Sequence, residues 1–409
     1  MDYHIPSVVI DNGSMTTRAG VSTDENPSLV FPTHYSKNVN TDEIVIGRDI
    51  NNYPENEVYT LLNDGIFYNW DHVLDNWKYV YSNLKIESRE LPLVITENSW
   101  NTKKNRNKSC QLAFEELEVP VFSIVKAPLC TSYSVGRSTS LIIDIGSSVT
   151  SVTPIFNGNI LLKGTVHSKF AGDFLNLHVL EFLKKKTNNN IDDFLIPKAF
   201  NSDKKMSNSF KMYQINKTLA DFKLSCLSFS KLPLDPIITP EQSNQIQMTP
   251  RHYLLPNEQE NIQDDIVELQ YEQYQLPEVL LKPALYTNNN LQDIKVPRDS
   301  MGLVELVLSS LQKLETAGDI YQQLLNNIVI TGGTSFIPDL EHRVINEFQR
   351  TLPSLSIQTY SNPNLLERNF SSWIGATILS SMGSTLDNIF INKEEYEELG
   401  EDLIAERFK

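Results

Sequence analysis

The chain has 409 residues, 40% hydrophobic and 21% charged, enough to bury the cores of two or three globular units. Its formal charge of −16 disfavours direct binding of the whole chain to nucleic acid, because an acidic surface repels phosphate. Three widely spaced cysteines indicate neither a disulfide framework nor a zinc site, and no apolar run reaches the ~18 residues of a membrane span.

Short apolar runs that end at a turn or at Pro or Gly predict buried strands. In chain order they are 7–11, 91–96, 121–125, 141–145 and 326–331. Amphipathic patterns between them predict helices, for example over 70–84 and 302–314. Strands that alternate with helices favour an α/β architecture. The acidic, Gln-rich stretch 258–275 is either a solvated helix or a partly ordered connection, and its pattern does not decide between them.

A strand–turn–strand motif occurs twice in the chain. VVIDNGSMT (8–16) and LIIDIGSSV (141–149) align without a gap, and a third glycine turn, IVITGGTS (328–335), also follows an apolar strand. Glycines let backbone amides approach an anion closely, and an aspartate at each strand end suits a hydrated metal on phosphates. The repeat therefore predicts two similar lobes that face each other across a nucleotide cleft, or across a relic of one.

The glycine turns resemble those of the superfamily of actin, heat-shock 70 chaperones and sugar kinases. Further blocks resemble successive segments of the actin family, and the likeness is weak only from about 181 to 249. Among these blocks are GIFYNWDHVLDNWKYVYSNLKI (65–86), VGRSTS (135–140), NNIVITGGTSFIPDLEHRV (326–344), SSWIGATILSSM (371–382) and INKEEYEELG (391–400).

The resemblance implies an α/β, actin-like fold with two duplicated ribonuclease-H-like lobes around a nucleotide cleft. The first, outer lobe would comprise 1–134 plus 371–409, with a second subdomain shortened between Phe31 and Asn69. The second, inner lobe would comprise 135–370, with a divergent insert at about 181–250.

Two segments, 57–96 and HSKFAGDFLNLHV (167–179), are most similar to the group of actin-related protein seven. That group implies a nuclear, non-enzymatic subunit of a chromatin remodeller of the SWI/SNF or RSC type. Such a subunit would pair with a second actin-related protein, bind a helix of the motor ATPase and other remodeller subunits, and meet chromatin only indirectly. No membrane partner is expected, and no secretory signal, since MDYHIPSVVIDNG lacks a basic start.

Two other classes of protein are weighed against this reading. A polymerising, cytoskeletal actin-related protein is opposed by the short segment 31–69, which lacks most of the loop by which actin protomers grip each other. A superfamily ATPase or kinase acting on sugars is opposed by the actin-like carboxyl end and by the absence of a recognisable base for a substrate hydroxyl.

The resemblance also implies a cofactor site for ATP, with magnesium if ATP is bound. Arg18 stands where the family has a phosphate-binding lysine, and Met15 and Ser148 stand where actin has glycines. The implied cofactor-binding residues are Asp11, Gly13, Ser14, Arg18, Asp144, Gly146, Ser147, Gly172, Gly332, Gly333, Thr334 and Phe336.

Hydrolysis is not expected at this site. Ser147 falls where actin has a second aspartate, and Ala127 falls where the family has the glutamine that orients the attacking water. A methyl group has no hydrogen-bonding atom. Asp173 replaces an expected arginine and adds negative charge near the cleft. We therefore predict no catalytic residue and no metal site built by the protein alone, and the residues leave open whether ATP is bound or the site is only structural.

A partner-binding groove is also implied by the resemblance. Its candidate residues are Tyr133, Gly136, Ile374, Ile378, Leu379, Met382 and Ile389. Such a groove accepts a helix with apolar anchors at i, i+3, i+4 and i+7. Helical spacing fits a core face equally well, so groove and core stay open for Ile378 and Met382, whereas core is favoured for Ile374 and for the neighbouring Trp373.

Overall fold

A computed structural model describes residues 6–186, 191, 193–200, 205–234, 249–256, 266–286, 296–314, 318–382 and 389–408. The strands are β1 (Val8–Asn12), β2 (Thr16–Val21), β3 (Leu29–Pro32), β4 (Tyr35–Lys37), β5 (Ile44–Ile46), β6 (Glu57–Tyr59), β7 (Leu62–Asn63), β8 (Ile66–Phe67), β9 (Leu93–Glu97), β10 (Val121–Lys126), β11 (Ser140–Ile145), β12 (Thr150–Phe156), β13 (Asn159–Ile160), β14 (Val166–Ser168), β15 (Arg251–Leu254), β16 (Ile266–Leu269), β17 (Ile328–Thr331) and β18 (Phe390–Asn392).

Helices lie between these strands, as the alternating pattern predicts. They are α1 (Val73–Leu84), α2 (Lys103–Gln111), α3 (Ala127–Ser134), α4 (Gly172–Lys186), α5 (Asn208–Cys226), α6 (Glu272–Gln275), α7 (Pro283–Tyr286), α8 (Leu303–Gln312), α9 (Gly318–Leu325), α10 (Leu340–Thr351), α11 (Leu365–Asn369), α12 (Ser371–Ser381) and α13 (Lys393–Arg407). Short 3₁₀ segments occupy Gly47–Asn52, Leu162–Gly164, Lys198–Phe200, Leu276–Leu280 and Gly333–Phe336, and a π-turn occupies Leu112–Glu116.

Two larger sheets carry the duplication. The first has the order β18-β10-β9-β1-β2-β3, in which β1 pairs antiparallel with β2 and parallel with β9. The second has the order β13-β12-β11-β17, in which β11 pairs antiparallel with β12 and parallel with β17. In each sheet, the repeated motif supplies a hairpin whose first strand also has a parallel neighbour. The five strands predicted from apolar runs are all present, within two residues of their predicted bounds.

Each sheet has its own buried core. Strand β11 is buried along nearly its whole length, because its two faces pack into different hydrophobic clusters: Leu141, Ile143 and Ile145 belong to one, and Ile142 belongs to another. Helix α1 buries Val73, Trp77, Val80 and Tyr81, a spacing of three to four residues that places them on one face. The predicted helix over 70–84 thus begins three residues later, and that over 302–314 is found as α8.

Smaller sheets accompany the two larger ones. Strands β5, β4 and β6 form a three-stranded sheet after the first hairpin, within the segment expected to be short. The ambiguous stretch 258–275 lies partly outside the described residues. Its described part contains strand β16, which pairs with β15, and helix α6. The domain boundaries at 134/135, 370/371 and around the insert at 181–250 stay a prediction. Among the described helices, none is both long and apolar enough to cross a bilayer.

Candidate functional site

A cavity of about 370 Å³ lies where the two sheets face each other. This volume falls within the range of small-molecule sites. All the residues proposed for cofactor binding line the cavity except Gly172. The three glycine turns, at Gly13, Gly146 and Gly332, are therefore brought together by the fold.

The two hairpins that enter the cavity have the same local geometry. In the first, the Gly13 amide donates to the Thr16 carbonyl at 3.1 Å. In the second, the Gly146 amide donates to the Val149 carbonyl at 3.0 Å. These are aligned positions of the sequence repeat, so the duplication extends to single hydrogen bonds. Within the described residues, the amides of Ser14 and Ser147 have no protein acceptor, which leaves donors at both tips for an anion.

The hairpin tips also touch each other. The hydroxyl oxygens of Ser14 and Ser148 lie 2.6 Å apart, a direct hydrogen bond between the two lobes. Ser148 stands where a glycine was expected, and a glycine has no atom to make this bond. Serine at position 148 therefore puts a contact within the chain where a glycine would leave room for an anion.

Asp11 is held by several donors at the end of β1. Its carboxylate forms an ion pair with Arg18 at 3.1 Å and accepts hydrogen bonds from Thr96 and Ser372. The Arg18 guanidinium also donates to the Asn369 side chain at 3.0 Å. The charge that would meet a phosphate is thus shared with protein groups on both sides.

Asp144 occupies the equivalent strand end in the second lobe and has no such partners. No hydrogen bond to its carboxylate occurs within the described residues. Burial, together with the nearby Asp11 carboxylate, raises the pKa of Asp144 to about 6, and Arg18 opposes this shift. Asp144 therefore places negative charge in the cavity that Arg18 offsets only in part, and a cation would relieve it.

Gly172 begins helix α4 just behind the second hairpin. Its amide donates to the Gly146 carbonyl at 3.1 Å, and a Cβ built on Gly172 would lie 2.5 Å from the Thr334 hydroxyl. Thr334 itself donates to the Gly146 carbonyl at 2.8 Å. Gly172 therefore supports the turn from behind rather than lining the cavity.

Asp173 does not line the cavity, although it lies near the cleft as expected. Its carboxylate accepts the Ser147 hydroxyl at 2.5 Å, and its amide donates to the Ser147 carbonyl at 2.7 Å. The Ser147 side chain is therefore already used by the protein.

The third turn presses closely on Asp144. Gly332 has φ +87°, and a Cβ there would lie 2.3 Å from an Asp144 carboxylate oxygen, so glycine is required. Gly333 and Phe336 also line the cavity. Ala127, the first residue of α3, also lines the cavity, and its side chain is a methyl group.

Two cavity-lining charges were not found from the sequence. Lys223 in α5 is buried and donates to the Gly172 carbonyl at 2.7 Å; burial lowers its pKa to about 8, and Asp173 opposes the shift. Glu97, at the end of β9, is buried and pairs with Arg106 and Lys126. A carboxylate at a strand end is a signal that would have found Glu97. Lys223 lies in the segment with weak resemblance, where no motif marks it.

The candidate partner groove lies between helices α3 and α12. Ile378 is 36% exposed and Met382 is 37% exposed, whereas Leu379 is 4% exposed and belongs to a hydrophobic cluster with Trp373. Tyr133, Ile374 and Ile389 are partly buried against the same cluster, and Gly136 is exposed with φ +68°. Leu379 thus packs into the hydrophobic cluster, and Ile378 and Met382 reach solvent.

The chain matches the family model described as Actin over residues 3–409. It is 30% identical to "Actin-related protein 4" of Yarrowia lipolytica, across 99% of this chain and 96% of that protein. It is 29% identical to "SWI/SNF and RSC complexes subunit arp42" of Schizosaccharomyces pombe, across 97% of each. It is also 29% identical to "Actin-related protein 7" of Saccharomyces cerevisiae, across 97% of this chain and 96% of that protein. The predicted family and fold are confirmed.

Proposed function

Because the chain belongs to the actin family, we propose that it is a non-enzymatic, nuclear actin-related subunit of an ATP-dependent chromatin-remodelling complex. The observation that carries the proposal is its full-length similarity to relatives that include a named SWI/SNF and RSC subunit. The acidic charge of −16 supports contact with chromatin through other subunits.

The cavity supports the non-enzymatic part of the proposal. Transfer of a phosphoryl group to water requires a polar group that orients the water. Ala127 offers only a methyl group, and the Ser147 hydroxyl is bound to Asp173. Glu97 also lines the cavity, but Arg106 and Lys126 neutralise its carboxylate.

Several residues still fit a nucleotide, which members of the family bind with a divalent metal. The amides of Ser14 and Ser147 would hold phosphate oxygens, and Asp11 and Asp144 would face the hydrated cation. Magnesium, when bound, would neutralise charge on the phosphates. The Gly332–Gly333 turn and Phe336 would cover the base. ATP would thus be held without being hydrolysed.

Partners would include a second actin-related protein, other remodeller subunits and a helix of the motor ATPase. The groove supports the last of these, because Ile378 and Met382 are exposed apolar side chains above a packed cluster. Methionine is flexible and polarizable, which suits an adaptable docking surface. The two-lobe division at 134/135 and 370/371 would place this groove beside the boundary between the lobes.

Replacing Met382 by Glu tests the groove. We expect loss of co-purification with a recombinant motor-ATPase helix, with an unchanged melting temperature, because Met382 is already 37% exposed. Leu366→Glu is the matched control, since Leu366 is an exposed leucine outside the groove and should keep binding. Retained binding by Met382→Glu would exclude the groove. Affinity capture from nuclear extract tests the wider proposal, and companions that include no remodeller subunit would contradict it.

A further inference from the structure

A second contact between the two lobes involves residues that do not line the cavity. We call it the mouth strap and define it as residues 47–58 of the first lobe with residues 206–214 of the second. Its centre is a small hydrophobic cluster in which Ile50 meets Phe210 and Tyr213, all buried. This cluster is separate from the larger cores of the two lobes.

Aromatic packing extends the cluster on both sides. The rings of Phe200 and Phe210 lie 5.3 Å apart between centroids in an edge-to-face arrangement. The His34 ring lies 5.2 Å from that of Tyr213. Burial of this apolar area against the other lobe favours closure without any ligand.

Hydrogen bonds fix the register of the mouth strap. The Ser207 amide donates to the Pro54 carbonyl at 2.9 Å, and the Ser207 hydroxyl donates to the Asn56 carbonyl at 2.7 Å. The Val58 amide donates to the Ser209 hydroxyl at 2.8 Å. Ser207 is also the N-cap of α5 and accepts the Phe210 amide, so the start of this helix is tied to the first lobe.

Helix α5 connects the mouth strap to the cavity. It has 19 residues, about 28 Å at 1.5 Å per residue. Its first turn carries Phe210, whereas Ala220, Lys223 and Leu224 near its other end line the cavity. Any motion that opens the mouth strap therefore moves a wall of the cavity.

Two further contacts cross between the lobes at another side of the cleft. The rings of Trp100 and His167 stack with centroids 4.3 Å apart, and Lys169 pairs with Asp64 at 3.0 Å. The first lobe supplies Trp100 and Asp64, and the second supplies His167 and Lys169. Together with the Ser14–Ser148 hydrogen bond, these contacts link the two lobes at several places around the cavity.

We infer that the mouth strap holds the two lobes closed in the absence of nucleotide and gates the entry of small molecules to the cavity. The inference that the mouth strap gates entry rests on the proposed nucleotide site, whereas the inference that the lobes are closed concerns the chain alone. In this protein, lobe closure would be supplied by apolar packing between the lobes. A partner would consequently meet the same closed shape whether or not ATP is present.

The distance between the lobes tests the closed state directly. Spin labels on Val39→Cys in the first lobe and Leu232→Cys in the second occupy exposed positions, and the three native cysteines are buried. We expect nucleotide-stripped protein to show one narrow distance distribution by double electron–electron resonance, unchanged by MgATP. A broad or longer distribution that narrows only with MgATP would overturn the inference.

Shortening a buried side chain of the mouth strap in either lobe tests whether this contact, rather than the overall stability of the fold, keeps the lobes closed. Ile50→Ala and Phe210→Ala should each broaden and lengthen the distribution in stripped protein. Met212→Ala is the matched control, because Met212 lies on the same helix but is exposed. Unchanged distributions in both folded truncation variants would also overturn the inference.

A milder variant covers the case in which the truncations do not fold. Ser209→Ala removes the acceptor of the Val58 amide and leaves the apolar cluster intact. We expect the Val58 amide to exchange with deuterium roughly tenfold faster or more, since local opening sets its protection. An unchanged exchange rate would contradict the mouth strap. These readouts use the chain alone, so they are independent of whether a remodeller partner binds.

Discussion

Replacement of Asp144 by Asn should stabilise the ligand-free protein at neutral pH, although Asp144 is a candidate binding residue. Burial, with Asp11 nearby, raises the pKa of its carboxyl from 3.8 to about 6. The folded state therefore holds this proton more tightly than the unfolded state does. The carboxylate thus destabilises the fold above pH 6, and this loss fades as the pH falls from 6 towards 3.8.

The size of the effect follows from the shift. A difference of about 2 pKa units corresponds to about 3 kcal/mol at 1.36 kcal/mol per unit. Water that enters the cavity screens the charge, because Asp144 is only partly buried by the protein. We therefore expect Asp144→Asn to raise the free energy of unfolding by roughly 1–3 kcal/mol near pH 7.5.

Urea unfolding of wild type and Asp144→Asn between about pH 4.5 and pH 8 measures this difference. Wild type is needed as the reference because His34 and His178 change stability with pH in the opposite direction. Burial lowers their pKa values to about 4, so they reduce the stability of the fold as the pH falls. These contributions are common to both proteins and cancel. Asp24→Asn, the same change at an exposed position, is the control and should stay within about 0.5 kcal/mol. A less stable Asp144→Asn, or a difference independent of pH, would refute the reasoning.

Two further outcomes concern stability. Arg343 and Glu278 form a fully buried pair joined by two hydrogen bonds of 3.0 Å. Arg343→Met should lower the free energy of unfolding in urea by about 3–5 kcal/mol, and the additional change Glu278→Leu should recover most of that loss. Arg350→Met, at an exposed position, is the control. A double variant as unstable as Arg343→Met alone would contradict the account. Burial lowers the pKa of His34 from 6.5 to about 4, so stability is lost as the pH falls through that window. His34→Phe should remove up to about 3 kcal/mol of that loss, and an unchanged pH profile would contradict this expectation.

The local parts of the fold were readable from the sequence, because they depend on neighbouring residues. Apolar runs that close on Gly or Pro marked β1 and β11, and the repeated Asp-X-Gly-Ser marked hairpins whose turns share one hydrogen-bond pattern. The predicted cavity residues came together because both hairpins end strands of facing sheets. Gly172 was the exception, since a glycine needed for close packing behind a turn looks the same in sequence as one that faces a ligand.

Contacts between distant segments were not readable. The mouth strap joins residues about 150 positions apart, and neither Ile50 nor Phe210 belongs to a periodic pattern that names its partner. Helical spacing placed Ile374, Ile378 and Leu379 together but could not show which of them faces solvent. Which of these side chains is buried depends on the residues packed beneath α12, and these come from strands elsewhere in the chain.

The central claim is that the cleft keeps groups that can hold a nucleotide but has none that activates water. Phosphate release by the purified protein, free of the motor ATPase and of other actin-related proteins, tests this claim most directly when bound nucleotide is also measured after denaturation. We expect no turnover above background, whether or not ATP is recovered. Turnover as fast as that of conventional actin, abolished by Asp144→Ala, would contradict the account.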